Sequence, residues 1–238
     1  MVFASQAALS QNIAGSFSTA KKWAEKKVYF DKRVSFYCGC EYSEDKVVDQ
    51  ASCGYTPRKP ITNSGRENER DNRIEWEHVL PASIMGSHLA CWGSERGQYE
   101  ECKKDNGKLR SGRKCCQKVN PTFKKAHNDL VNLTPAIGEV NGNRSNHRFG
   151  IVEGEVRKYG QCDFEFENNV AEPSEKIRGD IARIQLYMLE TYGEELGFKF
   201  SEERLQMLKS WNEADPVTEW EKVRNARIKE IQGVGADL

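Results

Sequence analysis

The chain has 238 residues, of which 37% are hydrophobic and 30% charged, and its 36 basic side chains balance its 36 acidic ones. This length favours one large domain. Ten Phe, eight Tyr and five Trp are too many large apolar side chains for an intrinsically disordered protein. No stretch approaches the ~18 consecutive apolar residues of a membrane span, so the sequence excludes an integral membrane protein.

The net charge of zero conceals two halves of opposite sign. Residues 1–150 carry 24 Lys and Arg against 17 Asp and Glu, whereas residues 151–238 carry 12 against 19. The strongest excess lies at 103–125, where nine cations face only Asp105. Such a stretch can follow a phosphate backbone, because each neutralised phosphate releases condensed counterions. A solvated lysine-rich surface is the alternative.

Hydrophobic periodicity and turn residues predict a mainly helical α+β domain with small sheets, covering residues 1–238 without a linker. Pro81 ends one predicted strand and Pro135 another, while Ser174 and Ser201 suit helix N-caps. The predicted elements are, in chain order, a helix at 5–27, a strand at 34–38, a loop at 51–73, a strand at 74–80, a stapled loop at 91–120, a strand at 131–133, a helix at 136–146, a strand at 162–167 and helices at 174–192, 201–212 and 217–232.

Eight cysteines lie at positions 38, 40, 53, 91, 102, 115, 116 and 162. Their even number and the absence of C-x-x-C pairs indicate disulfide bonds in an exported protein. We expect Cys115 and Cys116 to pair with different, distant partners, but the connectivity stays open. A zinc site that begins at Cys38 and Cys40 is the alternative. The first residues lack the apolar run of a signal peptide, so an exported protein would already have lost it, and Met1 would have been added for expression.

A carboxylate directly precedes one of the four histidines, in Glu75-Trp76-Glu77-His78. A carboxylate suits Mg²⁺, which takes oxygen ligands, and a neutral imidazole can accept a proton from water near pH 7. Neighbours in a strand point to opposite faces, so Glu77 and His78 converge only if the strand bends or ends there. A cross-strand histidine beside a surface glutamate is the alternative.

A second group of polar residues shares one helix face, since Asn141, Arg144, Ser145 and Arg148 follow one another at helical spacings. This face offers a neutral oxygen ligand and two guanidinium groups suited to bidentate phosphate contacts. An ordinary helix end rich in Asn and Gly is the alternative.

Joined in chain order, these segments resemble a ββα-metal finger. More specifically, the chain resembles the bacterial endonuclease I family of periplasmic and secreted nucleases. The resemblance extends from about residue 15 to 232. It lies in Glu75-Trp76-Glu77-His78-Val79-Leu80-Pro81-Ala82, Cys91-Trp92, Gly112-Arg113-Lys114, Asn132-Leu133-Thr134-Pro135, Gly138-Glu139-Val140-Asn141-Gly142-Asn143-Arg144, Tyr159-Gly160-Gln161-Cys162, Ala171-Glu172-Pro173, and similar segments at 178–183 and 216–221.

The resemblance implies a non-specific, Mg²⁺-dependent endonuclease that cuts single- and double-stranded DNA and also RNA, leaving 5′-phosphate ends. Mn²⁺ or Ca²⁺ would also fit the metal site. The finger would cover about residues 74–148, with a C-terminal helical part at about 170–232. Carried over residue by residue, His78 is the general base, Glu77 and Asn141 are the metal ligands, and Arg113 holds the cleaved phosphate. The phosphate contacts we add to these are Lys114, Arg144 and Arg148.

The chain departs from the family at Val131, where relatives often carry a histidine, and we expect only a local packing difference. His88, His127 and His147 are expected to be surface or structural residues, and His147 is also a weak candidate for a phosphate contact. The expected partners are DNA and RNA, bound through phosphates that carry no base information, with no membrane contact and a monomeric protein. The alternatives are a secreted nucleic-acid-binding protein without catalysis and a zinc-binding module with free thiols.

Overall fold

The computed structural model describes residues 11–154 and 157–238, in which α-helices outnumber short strands. The helices are α1 (Phe17–Trp23), α2 (Ala82–Gly86), α3 (Gly112–Val119), α4 (Pro121–Asn128), α5 (Gly138–Arg144), α6 (Arg178–Leu196), α7 (Glu202–Ala214) and α8 (Glu219–Gln232). The strands are β1 (Ile74–His78), β2 (Leu133–Ile137), β3 (Arg148–Phe149), β4 (Phe164–Glu167) and β5 (Val170–Pro173). The predicted α+β class is confirmed. Within the described ranges, no helix combines the length and the apolar character that a membrane span needs.

β1 and β2 form an antiparallel pair in which Glu77 lies opposite Thr134. The prediction that the second strand stops before Pro135 is wrong, because β2 continues through the proline. The carbonyl of Pro135 accepts a hydrogen bond from the backbone N–H of Phe36 at 2.7 Å. The carbonyl and the nitrogen of Pro135 therefore point away from β1. Because a residue at this position donates no hydrogen bond to β1, the missing N–H of proline does not weaken the pairing of β1 and β2.

β2 leads directly into α5, which is shorter than the predicted helix at 136–146. Gly138 stands at the junction, where an added Cβ would lie 2.9 Å from the carbonyl oxygen of Arg70 and 3.0 Å from the carboxyl carbon of Glu75. Only a residue without a side chain permits this approach. The junction brings α5 alongside β1, in the ββα order that the sequence predicts.

Four disulfide bonds account for all eight cysteines, which confirms the predicted disulfides and leaves no thiol for zinc. They are Cys38–Cys162, Cys40–Cys53, Cys91–Cys116 and Cys102–Cys115. The neighbours Cys115 and Cys116 pair with different partners, as expected. Both lie in α3, so the predicted loop at 91–120 is corrected to contain a helix, which two disulfides fix to the preceding loop.

Other predicted elements change in extent. The strand at 34–38 is reduced to a single bridge between Val34 and Glu41. The helix predicted from residue 5 begins at Phe17, and residues 5–10 lie outside the described residues. The strand at 162–167 is present as β4, which pairs with β5. Ser174 caps a single 3₁₀ turn before α6, whereas Ser201 caps α7 as predicted.

The C-terminal helices α6 and α8 support the entry to β2 through buried polar groups. Asp129 accepts hydrogen bonds from the Tyr192 hydroxyl and from the Gln232 amide, both at 2.7 Å. Arg224 of α8 donates to the carbonyl of Val131 at 2.8 Å. Because buried polar groups must be paired, these bonds fix the position of β2 against the helices.

Candidate active site

A cleft of about 1180 Å³ opens between α1, the end of β1, the start of α3 and α5. Five of the predicted site residues line it together, namely Glu77, His78, Arg113, Asn141 and Arg144. Lys114 and Arg148, the other two predicted phosphate contacts, are exposed and lie outside its lining among the described residues. β1 ends at His78, so Glu77 and His78 can converge on one cleft despite being neighbours in a strand.

Glu77 is buried beneath the cleft, with one carboxylate oxygen fixed. Its Oε1 accepts a hydrogen bond from the Tyr37 hydroxyl at 2.7 Å and forms an ion pair with Arg144 Nη1 at 2.9 Å. The other oxygen, Oε2, has no side-chain hydrogen-bond partner in the described part of the chain. Burial raises the pKa of Glu77, and the charge of Arg144 opposes that rise. A cation in the cleft would favour the ionised carboxylate further.

Arg144 is 1% exposed, and protein acceptors occupy both terminal nitrogens of its guanidinium. Besides Glu77, it donates to the carbonyls of His78 and Val79, at 3.0 and 2.6 Å. Its guanidinium also lies 4.5 Å from the centroid of the Phe149 ring. This placement does not suit the predicted phosphate contact, because a phosphate would have to displace buried hydrogen bonds. It suits a residue that holds Glu77 and the end of β1.

The imidazole of His78 is held with a defined proton arrangement. Its Nε2 lies 2.8 Å from the carbonyl oxygen of His127, which can only accept, so Nε2 carries the proton. Its Nδ1 therefore has the free electron pair and accepts from Arg113 Nη2 at 3.1 Å. Burial and the neighbouring His127 and Arg113 hold the pKa of His78 well below its usual range. Phe17 stacks on the ring at 5.1 Å.

Arg113 lies in the first turn of α3, and its Nε donates to Nε2 of His127 at 2.7 Å. The preceding Gly112 packs directly on Trp92, where an added Cβ would lie 2.3 Å from the carbonyl oxygen of that residue. Gly112 therefore allows the first turn of α3, which carries Arg113, to pack closely on the loop at Trp92. Burial lowers the pKa of Arg113, and the charge of Glu77 opposes this.

Asn141 lines the cleft, where its amide nitrogen is held by the neighbouring Glu75. Nδ2 donates to Oε2 of Glu75 at 3.1 Å. Arg70 binds both oxygens of that carboxylate, at 2.9 and 2.7 Å. Burial raises the pKa of Glu75, but the hydrogen bonds from Arg70 and Arg73 outweigh it and leave the pKa below its usual value. The ionised Glu75 thus accepts a hydrogen bond from the amide nitrogen of Asn141, which leaves Oδ1 as the atom that could bind a cation.

The residues present fit a hard divalent cation. Glu77 offers a carboxylate oxygen and Asn141 an amide oxygen, and Mg²⁺ is commonly bound through one or two protein oxygens with water completing the shell. In the described ranges, no three or more His, Cys, Asp and Glu side chains form a cluster that could hold a metal. A site of one carboxylate and one amide oxygen agrees with that finding.

The structure adds cationic residues that the sequence did not assign to the site. Lys21, Lys22 and Lys26 of the α1 segment line the cleft. Of the nine cations at 103–125, only Arg113 does so among the described residues. These lysines lie on the side of their helix opposite the buried Ala20. This pattern in the sequence indicates that the lysines face solvent, but it does not indicate that they border the cleft.

His127 is a further residue that the sequence placed only as surface or structural. It is 1% exposed and contacts both Arg113 and His78. Its spacing of four from the buried Phe123 in α4 was the available signal, because it predicts an inward-facing position. His147 stacks on Phe166 and lies outside the lining of the cleft among the described residues.

Comparison with known proteins gives consistent matches along most of the chain. The family model described as Endonuclease I matches residues 6–235. An extracellular deoxyribonuclease of Aeromonas hydrophila is 40% identical over 227 residues, which cover 92% of this chain and 87% of the relative. A periplasmic deoxyribonuclease of the same species is 39% identical over 87% of this chain and 78% of the relative. Endonuclease-1 of Buchnera aphidicola subsp. Acyrthosiphon pisum is 37% identical over 87% of this chain and 74% of the relative.

Proposed function

Because the chain belongs to the endonuclease I family, we propose that it is a non-specific, Mg²⁺-dependent endonuclease for single- and double-stranded DNA and for RNA. Its family makes it a nuclease, a phosphodiester hydrolase, as the sequence predicts. The predicted periplasmic or secreted location is confirmed by relatives of both kinds. The names of the two Aeromonas relatives support DNA as a substrate. The monomeric state stays a prediction.

The observation that carries this proposal is the convergence of four side chains with complementary chemistry. His78 offers a neutral imidazole whose free electron pair is on Nδ1, and Arg113 lies 3.1 Å from that nitrogen. Glu77 and Asn141 line the same cleft with oxygen donors. A nucleic-acid-binding protein without catalysis has no need for a general base beside these groups.

His78 is the general base in the proposed reaction. As the oxygen of the attacking water forms a bond to phosphorus, His78 Nδ1 takes its proton, and the bond from phosphorus to the 3′ oxygen breaks. The 3′ oxygen takes a proton from solvent, which leaves 5′-phosphate and 3′-hydroxyl ends. Arg113 Nη2 turns from His78 to the phosphate when substrate arrives, which frees Nδ1 for the water. Its charge then stabilises the transition state.

Glu77 and Asn141 would hold the metal ion. When bound, the ion supplies positive charge that stabilises the phosphate and the leaving oxygen. Mg²⁺ is our choice because both ligands are oxygens, and Mn²⁺ or Ca²⁺ would fit the same pair. Tyr37 and Arg144 keep the Glu77 carboxylate in place, so that one of its oxygens is prepositioned for the cation.

The absence of sequence specificity follows from the type of contact. Lysine and arginine side chains on the cleft walls contact phosphates, which position a strand but carry no base information. Lys114 and Arg148 are exposed and are proposed to contact more distant phosphates. The lysines of α1 form the wall that borders the cleft itself.

The test is digestion of supercoiled plasmid with Mg²⁺, beside EDTA and beside a folded His78→Ala variant. We expect cleavage by the wild type alone. Binding without cleavage by the wild type, under oxidising conditions with Mg²⁺ present, would support the binding-protein alternative instead.

Two further arms test the substrate range and the products. Single-stranded DNA and RNA of the same sequence should be cut in the same cleft, so both activities should disappear together in the His78→Ala variant. DNA fragments that DNA ligase can join without prior phosphorylation would establish 5′-phosphate ends. Fragments that need a kinase first would contradict the proposed direction of bond breakage.

A further inference from the structure

One buried residue binds both of the groups proposed to act on the phosphodiester. The backbone carbonyl of His127 accepts the Nε2 proton of His78 at 2.8 Å. The ring Nε2 of the same residue accepts the Nε proton of Arg113 at 2.7 Å. The two imidazole rings lie 4.5 Å apart, measured between centroids. His127 thus relates the position of Arg113 to that of His78.

The proton on the His127 ring is fixed by a chain of hydrogen bonds that starts at the backbone. The amide nitrogen of Asn128 donates to the carbonyl of Ala14 at 2.9 Å. The amide oxygen of Asn128 therefore faces His127 Nδ1, at 3.1 Å, and this nitrogen must carry the proton. His127 Nε2 is left with its electron pair, which is what a bond from Arg113 requires.

The surroundings of His127 keep this arrangement. Gln117, one helical turn after Arg113 in α3, lies with its amide nitrogen 3.2 Å from the same His127 Nε2. Phe17 contacts the ring edge-on at 4.9 Å. Burial and the charge of Arg113 lower the pKa of His127 to about 4, so the ring is neutral near pH 7. A neutral ring is the form that can accept.

We propose that His127 is a positioning residue of this nuclease, which orients Arg113 through its ring and the His78 base through its carbonyl. Since Arg113 keeps its Nε on His127, its Nη2 can turn from His78 to the phosphate without the whole side chain moving. The ring of His127 would act on the reaction only through Arg113. This inference rests on the proposed function.

His127→Phe tests the ring directly, because it keeps the aromatic volume and the backbone carbonyl but removes the acceptor. We expect kcat to fall roughly 10- to 100-fold, as for partners that orient reacting groups. KM should change little, since Arg113 acts mainly on the transition state. His127→Gln, whose side-chain oxygen can take the place of Nε2, should restore most of the activity. His88→Phe is the matched control, as His88 is exposed and bonded to the Leu196 carbonyl.

The double variant separates positioning from general support of the fold. In an Arg113→Ala background, His127→Phe should cost little more, because its route of action is already gone. An undiminished loss in that background would overturn the inference, and so would full activity of His127→Phe. If Arg113→Ala itself left cleavage unchanged, the role of Arg113 in the proposed function would fail instead.

A measurement on the unaltered protein keeps the test independent of how the variants fold. With ¹⁵N-labelled histidine, NMR distinguishes the two neutral tautomers of each ring. We expect His127 to carry its proton on Nδ1 and His78 on Nε2. A proton on Nε2 of His127 would leave nothing to accept from Arg113 and would overturn the inference.

Discussion

Two buried carboxylate–arginine pairs differ in how fully the protein satisfies them. In the helices, Arg183 binds both oxygens of Glu221, at 2.7 and 2.6 Å, and the backbone N–H of Thr218 adds a third bond at 3.0 Å. In the cleft, Arg144 reaches only Oε1 of Glu77. The Nε of Arg144 is buried and, in the described part of the chain, has no hydrogen-bond partner.

We interpret this difference as one between an ion pair that stabilises the fold and an ion pair that prepares a ligand site. An unsatisfied buried polar group costs about 1–3 kcal/mol, so a fold without a ligand would be expected to complete both pairs. Glu221 is complete and links α6 to α8. Glu77 has one oxygen, Oε2, that takes no side-chain hydrogen bond from the described residues, and a metal ligand needs such an oxygen. Burial also raises the pKa of Glu77, a cost that a bound cation offsets.

The strongest test of this contrast is Glu77→Gln. The amide keeps the shape of the side chain and can still accept from Tyr37, but it loses the charge that pairs with Arg144 and attracts a cation. We expect plasmid cleavage at saturating Mg²⁺ to fall at least ~1000-fold, as for the loss of an electrostatic group acting on the transition state. Isothermal calorimetry should show weakened Mg²⁺ binding. Wild-type cleavage by this variant would remove Glu77 from the site.

The same substitution in the helices, Glu221→Gln, should have the opposite profile. It leaves the buried Arg183 with only the more distant Asp180 carboxylate, at 3.9 Å, and we expect a loss of about 3 kcal/mol in the free energy of unfolding. The cleavage rate per folded molecule should match the wild type well below the melting temperature. Urea unfolding followed by tryptophan fluorescence measures the first effect. A fall in kcat at full folding would show that the helices act on the cleft, which would break the comparison.

Asp180 of α6 allows a further comparison, because this carboxylate lies among the C-terminal helices, like Glu221, but has only a long contact with a cation. Burial, reinforced by the nearby Glu221, raises its pKa to about 7, and its nearest cation, Arg183, is 3.9 Å away. A raised pKa means that the folded state holds the proton more tightly. The resulting stability is complete below pH 3.8 and is lost as the pH rises to about 7.

Asp180→Asn stays neutral at every pH, so it should escape this loss. We expect about 1–3 kcal/mol more stability than the wild type at pH 8 and little difference at pH 4. Thermal unfolding at the two pH values measures it, with cleavage at pH 8 unchanged. A difference independent of pH would assign the effect to packing rather than to titration.

Local sequence signals predicted the parts of the site that are contiguous in the chain. A carboxylate–histidine pair and a polar helix face singled out Glu77, His78 and Asn141, and the structure brings these three residues to one cleft. Their catalytic and metal-binding roles stay predictions. The disulfides followed from cysteine count and spacing, but their connectivity needed the structure. Pro135 misled the prediction, because only the fold shows that its nitrogen lies on the side of β2 away from β1.

The sequence did not predict the contacts of Arg144 and His127, because these contacts join segments that are distant in the chain. We now interpret Arg144 as a residue that holds Glu77, because α5 is packed so that this side chain is buried against Glu77. His127 acquired its contacts because α4 lies against both α3 and the end of β1. Neither position differs in residue type from an ordinary surface or core residue. Periodicity indicates that His127 faces inward, but it does not indicate which residues the side chains of Arg144 and His127 contact.

The exposed lysines on and away from the cleft wall provide a further comparison between residues that are available to a ligand and residues that are not part of the cleft. Lys22 and Lys26 are exposed on the cleft wall, whereas Lys114 and Lys118 of α3 are exposed outside its lining among the described residues. With the metal chelated, Lys22→Ala/Lys26→Ala should weaken DNA binding several-fold and reduce the slope of log K against log salt by about 2, one for each lost phosphate contact. Fluorescence anisotropy of a labelled duplex measures both. The matched double variant of α3, Lys114→Ala/Lys118→Ala, should change the slope less, because Lys114 is proposed to contact only more distant phosphates. An equal change would show that Lys114 belongs to the same binding surface as Lys22 and Lys26.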